Sequence, residues 1–210
     1  MKAAAQPSDG KGPGTRERIL ETAIRFFTRS GFDGTSVDEI VTHARVNKRM
    51  VYHYFGSKSG LYSAALARVY ERIAHVEAEV FSDEPSAGVA VERIVTAYFR
   101  FLQGDPEFVS LLLWENLQGG RHLQSLPASV TKAPILESLG RVIEKGIASG
   151  EIRADIDKRH MLINLMGVCL IYFSNRFTLS RTVGLDLGDP AVMEEGIRHA
   201  VGLVRHGFLR

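Results

Sequence analysis

The sequence predicts an all-α fold: a three-helix helix-turn-helix unit in front of a larger helical body, about nine helices in total. Three observations carry that expectation. Apolar residues recur at three- and four-residue intervals from Ile19 to Phe208, and no stretch alternates long enough to require a sheet. Helix-starting residues such as Ser36, Asn47 and Asp105 stand just before the apolar stripes, and glycines such as Gly31 and Gly56 follow them. The 210 residues are 45% apolar and 24% charged, a balance that favours packed cores over disorder.

Thr15 is placed to cap a first helix that buries Ile19, Leu20, Ala23, Phe26 and Phe27. Gly31 is placed to close it in the left-handed conformation, with Phe32 folded back over its last turn. In TSVDEI, Ser36 and Glu39 have capping-box spacing, and Val37, Ile40, Val41 and Ala44 form the inward stripe of a second helix of about two turns. After the tight turn RVN, Asn47 caps a third short helix running to about Phe55, with Val46, Val51 and Phe55 turned inward. Lys48 with Tyr52, and Arg49 with His53, then lie one turn apart on its outer side, next to the positive end of the helix dipole. Such a helix start suits the DNA major groove, where Lys and Arg meet guanine edges or phosphates. Ser57 and Lys58 open a fourth helix whose first N–H groups, with the Lys58 ammonium, form a small phosphate site.

Charge divides along the same line. Residues 1–62 hold ten Lys or Arg against six Asp or Glu, a net of +4, while the remainder holds 16 against 18, a net of −2. The N-terminal third is therefore matched to an anionic partner and the rest is not.

The stretch TRERILETAIRFFTRSGFDGTSVDEIVTHARVNKRMVYHYFGSKSGLY resembles the TetR family of bacterial transcription regulators, in particular at Ala23, Phe27, Gly31, Phe32, Thr35, Ile40, Ala44, Val46, Tyr52, Tyr54, Phe55, Ser57, Lys58 and Leu61. The match spans roughly residues 15–66. Two positions depart from the family pattern: Arg45 stands where a glycine is usual, and Arg49 where a small residue is frequent. The opening, rich in Gly, Pro and small residues, is expected to be a flexible tail at 1–14, and the resemblance implies a DNA-binding domain at 15–62 and a helical effector-binding and dimerisation domain at 63–210. It implies DNA contacts from Thr35, Ser36, Arg45, Asn47, Lys48, Arg49, Tyr52, His53, Tyr54 and Lys58. Thr35 and Ser36 are open to a second use as caps of the second helix, and the Tyr54 ring to a place in the core.

The fourth helix continues from Leu61 to Phe81, and SDEPSAG interrupts the pattern. A fifth helix is expected over about Val89–Leu102, and a sixth from Asp105-Pro106-Glu107, where Asp is a good N-cap and proline fits the first turn. Segments at Ala133–Ser149, Lys158–Phe177 and Asp189–Phe208 complete the series. The last two carry wide apolar surfaces, Met161, Leu162, Leu165, Val168, Cys169, Tyr172 and Phe173 on one and Val192, Ile197, Ala200, Val201, Val204 and Phe208 on the other. The resemblance implies that these helices pair with those of a second copy, giving a homodimer for a pseudo-palindromic double-stranded DNA operator with half-sites about 34–36 Å apart. An effector pocket is expected among Tyr98, Phe101, Trp114, Glu115, Asn116, His122, Met166, Cys169 and Phe173, with Phe101 and Trp114 as walls and Glu115, Asn116 and His122 as polar contacts. The same residues also fit a plain helical core.

Several classes are disfavoured. The longest apolar run, MLINLMGVCLIYF, is shorter than the ~20 residues of a membrane span, so no membrane partner is expected. Cys169, the single cysteine, rules out a disulfide framework and suits a reducing cytoplasm. The opening MKAAAQPSDGKGPG has no apolar core of signal-peptide length. Glu195, His199 and His206 share a helix face but lack the spacing of a metal site. With no phosphate loop, Gly-x-Ser-x-Gly or Cys-x-x-Cys, neither catalysis nor a cofactor is expected. The expectation is thus a ligand-responsive, sequence-specific repressor released from its operator by a small molecule. The alternative is a helical small-molecule-binding or adaptor protein whose helix-turn-helix is only structural.

Overall fold

The computed structural model describes residues 14–83, 85–126 and 132–209, so all but Gly14 of the expected tail lies outside the described residues. Ten α-helices are present among them: α1 (Thr15–Ser30), α2 (Val37–Ala44), α3 (Lys48–Phe55), α4 (Lys58–Val80), α5 (Ala87–Gly104), α6 (Pro106–Leu117), α7 (Ala133–Ser149), α8 (Lys158–Ser174), α9 (Arg176–Val183) and α10 (Pro190–Phe208). A 3-10 turn at Leu123–Ser125 follows α6. No strand forms among the described residues; one isolated antiparallel bridge joins Ile152 and Leu209. The described residues divide into two compact units, one up to Ala65 and one from Leu66 on.

In the first unit α1, α2 and α3 pack on one another. Their shared core holds Ile19, Leu20, Ile24, Phe27, Ile40 and Val51, joined by Leu61 and Tyr62 from the start of α4. Each such side chain stabilises the fold by about 1.5–3 kcal/mol relative to exposure. Phe27 meets Tyr62 edge-on at 4.8 Å, and Phe32 does so at 5.2 Å, which is how Phe32 folds back after α1. Two expectations at the ends of α1 change. Gly14, not Thr15, is the N-cap, and it offers no side-chain hydrogen bond. Gly31 takes a positive φ of 66° but with ψ at −174°, so the chain leaves α1 extended rather than in a left-handed turn. The entry to α4 was not foreseen in detail: a Cβ at Gly60 would stand 2.0 Å from the Phe55 carbonyl oxygen, so only glycine admits so sharp a turn from α3 into α4.

In the second unit α5 is central and touches α6, α7, α8 and α10. It buries Ala90, Val91, Ile94, Val95, Tyr98, Phe99 and Leu102, against Met161, Leu165 and Cys169 of α8 and Ile197, Ala200 and Val204 of α10. The expected helix Lys158–Phe177 is two helices. It breaks at Asn175, whose φ of −113° and ψ of 14° leave the helical region, and α9 sets off at 78° to α8. That break accounts for ten helices where about nine were expected. No single helix among the described residues is long and apolar enough to cross a membrane.

Candidate nucleic-acid interface and effector region

The first unit builds its outward face from helix ends. Ser36 caps α2: its hydroxyl oxygen accepts from the Glu39 N–H at 3.1 Å, and the Glu39 carboxylate accepts from the Ser36 N–H at 3.0 Å. The Ser36 hydroxyl, which donates to that carboxylate at 2.8 Å, and then the Ser36 backbone N–H hold the Glu39 carboxyl below its ordinary range. Arg45 ends α2 in the left-handed region at φ 53°, as its replacement of a glycine implied, a conformation that costs about 1–2 kcal/mol for a residue with a Cβ. Asn47 then caps α3, its side-chain oxygen accepting from the Arg49 N–H at 2.8 Å. With that cap in place, α3 commits only Val51 to full burial and leaves Lys48, Arg49, Tyr52, His53 and Tyr54 exposed. Val46 and Phe55 are half-buried rather than fully inward, and the Arg16 guanidinium lies over the Phe55 ring at 5.2 Å.

Not every expected contact faces outward. Thr35 is buried, with its hydroxyl 2.8 Å from the Gly31 carbonyl oxygen and 3.1 Å from that of Phe26. It clasps the end of α1 and does not cap α2, which Ser36 does. Ser57 accepts from the Gly60 N–H at 2.9 Å and so caps α4, while the Lys58 ammonium rests over the Phe32 ring at 4.4 Å. Lys48 is paired with Asp38 of α2, a partner the sequence reading did not single out.

Two of the nine residues expected to form an effector pocket line one small cavity. Tyr98 and Met166 do meet, lining a cavity of about 10 Å³ with Ile73, Leu102, Phe108, Leu112 and Leu170, room for about one water. Phe101 is half-buried against Phe108, with ring centroids 5.2 Å apart, and Trp114 is half-buried; neither lines that cavity. Asn116 is exposed and donates back to the Leu112 carbonyl at 2.8 Å, so it is a surface residue. Glu115 and His122 are buried together, the carboxylate accepting from the His122 backbone N–H at 3.1 Å and lying 2.9 Å from its Nδ1, which fastens the turn after α6. Cys169 is core, its thiol pushed up to about 12 by burial, and Phe173 packs on Phe99 at 5.7 Å.

The polar end of the small cavity rests on residues the sequence reading missed. Tyr98 donates at 2.7 Å to Glu77, a buried carboxylate on α4 that also holds the Lys132 ammonium. Burial, and then the negative Glu77, push the Tyr98 hydroxyl far above its usual range. The available signal was an acid on an inward stripe: Leu66, Val69, Ile73, Glu77 and Val80 repeat at helical spacing. Arg72, five residues before Glu77, donates to Asp105 at 3.0 Å and to Glu107 at 2.8 Å, tying α4 to the start of α6. A wider open groove of about 640 Å³ lies between α4 and α5, lined by Val76, Val80, Val89 and Ala97 with Glu79, Glu92 and Arg93 among its polar residues. On α10, His199 lies 3.8 Å from Glu195, while His206 Nδ1 lies 2.7 Å from the Gly202 carbonyl oxygen; no group of three metal-ligating side chains occurs among the described residues.

Comparison with known proteins bears on both units. The family model for bacterial regulatory proteins of the tetR family matches residues 19–65, and that for the tetracyclin repressor-like C-terminal domain matches residues 88–204. The chain is 34% identical over 199 residues to the HTH-type transcriptional repressor NicS of Pseudomonas putida, covering 93% of each chain. Among solved structures it is similar to the regulator FadR of Bacillus subtilis in complex with stearoyl-CoA, with a TM-score of 0.66, 19% identity and coverage of 88% of this chain and 96% of that one. The ketosteroid transcriptional regulator KstR2 of Mycobacterium tuberculosis gives a TM-score of 0.67 at 17% identity, covering 96% and 98%. At those identities the likeness is one of fold.

Proposed function

The chain belongs to the TetR family of bacterial regulatory proteins, and on that premise we propose how its parts divide the work of a ligand-responsive, sequence-specific repressor of transcription. Residues 15–62 bind DNA, and residues 63–210 hold the effector and form the dimer. One observation carries the reading: α3 gives a single residue fully to the core and turns Lys48, Arg49, Tyr52 and His53 to solvent around a capped, positive helix start. Arg49 and Lys48 contact base edges or phosphates of the operator, Tyr52 packs against a thymine methyl or sugar, and Ser36, Arg45, Asn47, His53, Tyr54 and Lys58 fix the helix on the backbone.

The effector binds in the second unit by widening the small cavity around Tyr98 and Met166. Widening it shifts a ring whose hydroxyl is held by Glu77 of α4, and α4 is one continuous helix from Lys58 to Val80. Effector and operator then oppose each other through a coupling of about 1–3 kcal/mol, roughly a 5- to 150-fold change in operator affinity. A homodimer forms through α8 and α10. The apolar residues expected to pair with a second copy are largely used inside the body, as with Met161, Leu162, Leu165, Cys169, Ile197, Ala200 and Val204, but Ile163, Ile171 and Leu203 remain exposed and support the same interface. The dimer reads a pseudo-palindromic operator in the cytoplasm, without a cofactor, a membrane or a catalysed reaction.

Selection of binding sites by the purified protein from a random duplex pool is expected to enrich an inverted repeat. A pool that stays random after repeated rounds at low salt contradicts this reading.

A further inference from the structure

Lys48 does not project freely from α3. Its ammonium lies 2.8 Å from Oδ1 and 2.9 Å from Oδ2 of Asp38, so both oxygens of one α2 carboxylate hold the cation at the first turn of α3. Glu39, the next acid along, is committed to the capping box with Ser36, which leaves Asp38 to meet Lys48. The pair is a surface one, with side-chain exposures of 47% for Lys48 and 72% for Asp38.

We propose that Asp38 is a positioning residue that raises sequence specificity by withholding Lys48 from the phosphates of arbitrary DNA. The proposal rests on the reading of α3 as the helix that enters the groove. Sequence-independent binding is driven by release of counterions, and each lysine that neutralises a phosphate adds about 0.9 to the dependence of log affinity on log salt. A lysine already neutralised by a carboxylate releases no counterion and adds nothing to that slope. The carboxylate also resists close approach to the duplex backbone. Lys48 therefore leaves Asp38 only where it gains acceptors in better geometry, such as O6 and N7 of guanine. A weak exposed pair suits this use, since it holds the cation in the free protein yet yields to a good base contact.

The test is fluorescence anisotropy of the full chain with a random-sequence duplex and with the pool-selected operator, from 50 to 200 mM salt. The proteins are wild type, Asp38→Asn, Asp38→Glu, Lys48→Met and the Asp38→Asn/Lys48→Met double variant. Asp38→Asn is expected to bind the random duplex more tightly at 50 mM and to steepen the salt slope by about 0.9, so that it loses about 3.5-fold more affinity than wild type across that range. Its ratio of operator to random affinity falls, and Asp38→Glu keeps the wild-type slope. In the Lys48→Met background Asp38→Asn leaves the slope unchanged. A wild-type slope in Asp38→Asn, or equal steepening in the Lys48→Met background, overturns the proposal. Failure of the wild type to bind either duplex at 50 mM overturns it together with the DNA-binding reading.

Discussion

Tyr52 on α3 and Tyr98 on α5 are the same side chain put to opposite uses. Tyr52 is 49% exposed beside a positive helix start, while Tyr98 is 1% exposed with its hydroxyl bonded to a buried carboxylate. The two units follow the same contrast. The first holds its shape with local devices, the Ser36 capping box, the Asn47 cap and the Thr35 clasp, and leaves its cations on the surface. The second takes polar groups inside and pairs them: Glu77 with Tyr98 and Lys132, Glu115 with His122. A long anionic partner needs charge presented in advance, whereas a small ligand needs a dry interior whose polar groups stay satisfied until it arrives. Substitutions on the face of α3 should therefore change binding before folding, and those around Glu77 should change folding before binding.

The sharpest way to break that contrast is Glu77→Ala. It strands a buried hydroxyl and an ammonium, and is expected to cost about 3 kcal/mol in urea unfolding. A loss under about 1 kcal/mol would show that the buried network contributes little. The next effect is one of pH. Burial, and then Glu115, hold the Tyr70 hydroxyl up to about 12 against an ordinary value near 10. A folded-state value raised in this way means that the neutral phenol's contribution is whole below pH 10 and is lost as pH rises from 10 to 12. Wild type should lose up to about 2 kcal/mol more than Tyr70→Phe across that window. Equal losses would remove Tyr70 from the account.

Smaller effects sharpen the picture within the first unit. Thr35→Val should cost about 1 kcal/mol of stability and leave the salt dependence of DNA binding unchanged, because its hydroxyl is buried against two carbonyl oxygens. A flatter slope in that variant would return Thr35 to the DNA contacts. The smallest effect, about 0.5 kcal/mol, has two opposite signs: Arg45→Gly should stabilise the fold, because relief of the φ of 53° outweighs the greater chain entropy glycine loses on folding, and weaken operator binding by removing a cation. Parallel unfolding and binding titrations read both.

The same contrast explains what was legible in the sequence. The Asn47 cap, the Ser36 capping box and the outward side of α3 are set within a few residues, so spacing exposed them, while the left-handed Arg45 was implied by the family resemblance. The pairing of Asp38 with Lys48 spans ten residues and the turn between two helices, and nothing in spacing marks it. In the second unit the helices were legible but the site was not. Phe101 and Trp114 resembled pocket walls by size, yet which aromatic lines a cavity depends on how α4, α5, α6 and α8 pack together. Glu77 escaped because a lone acid on an apolar stripe acquires meaning only when Tyr98, 21 residues away, reaches it. The break at Asn175 was hidden by the apolar run before it, since periodicity records which residues are apolar and not where the backbone turns.

The most direct test of the central claim, that α3 presents a ready-made DNA-reading face independent of the buried body, is the Lys48→Ala/Arg49→Ala variant titrated against the selected operator beside its thermal unfolding. The account predicts that operator affinity falls by at least about tenfold while unfolding stability changes by no more than about 0.5 kcal/mol. Unchanged operator affinity, or a loss of affinity matched by a loss of folding, would contradict it.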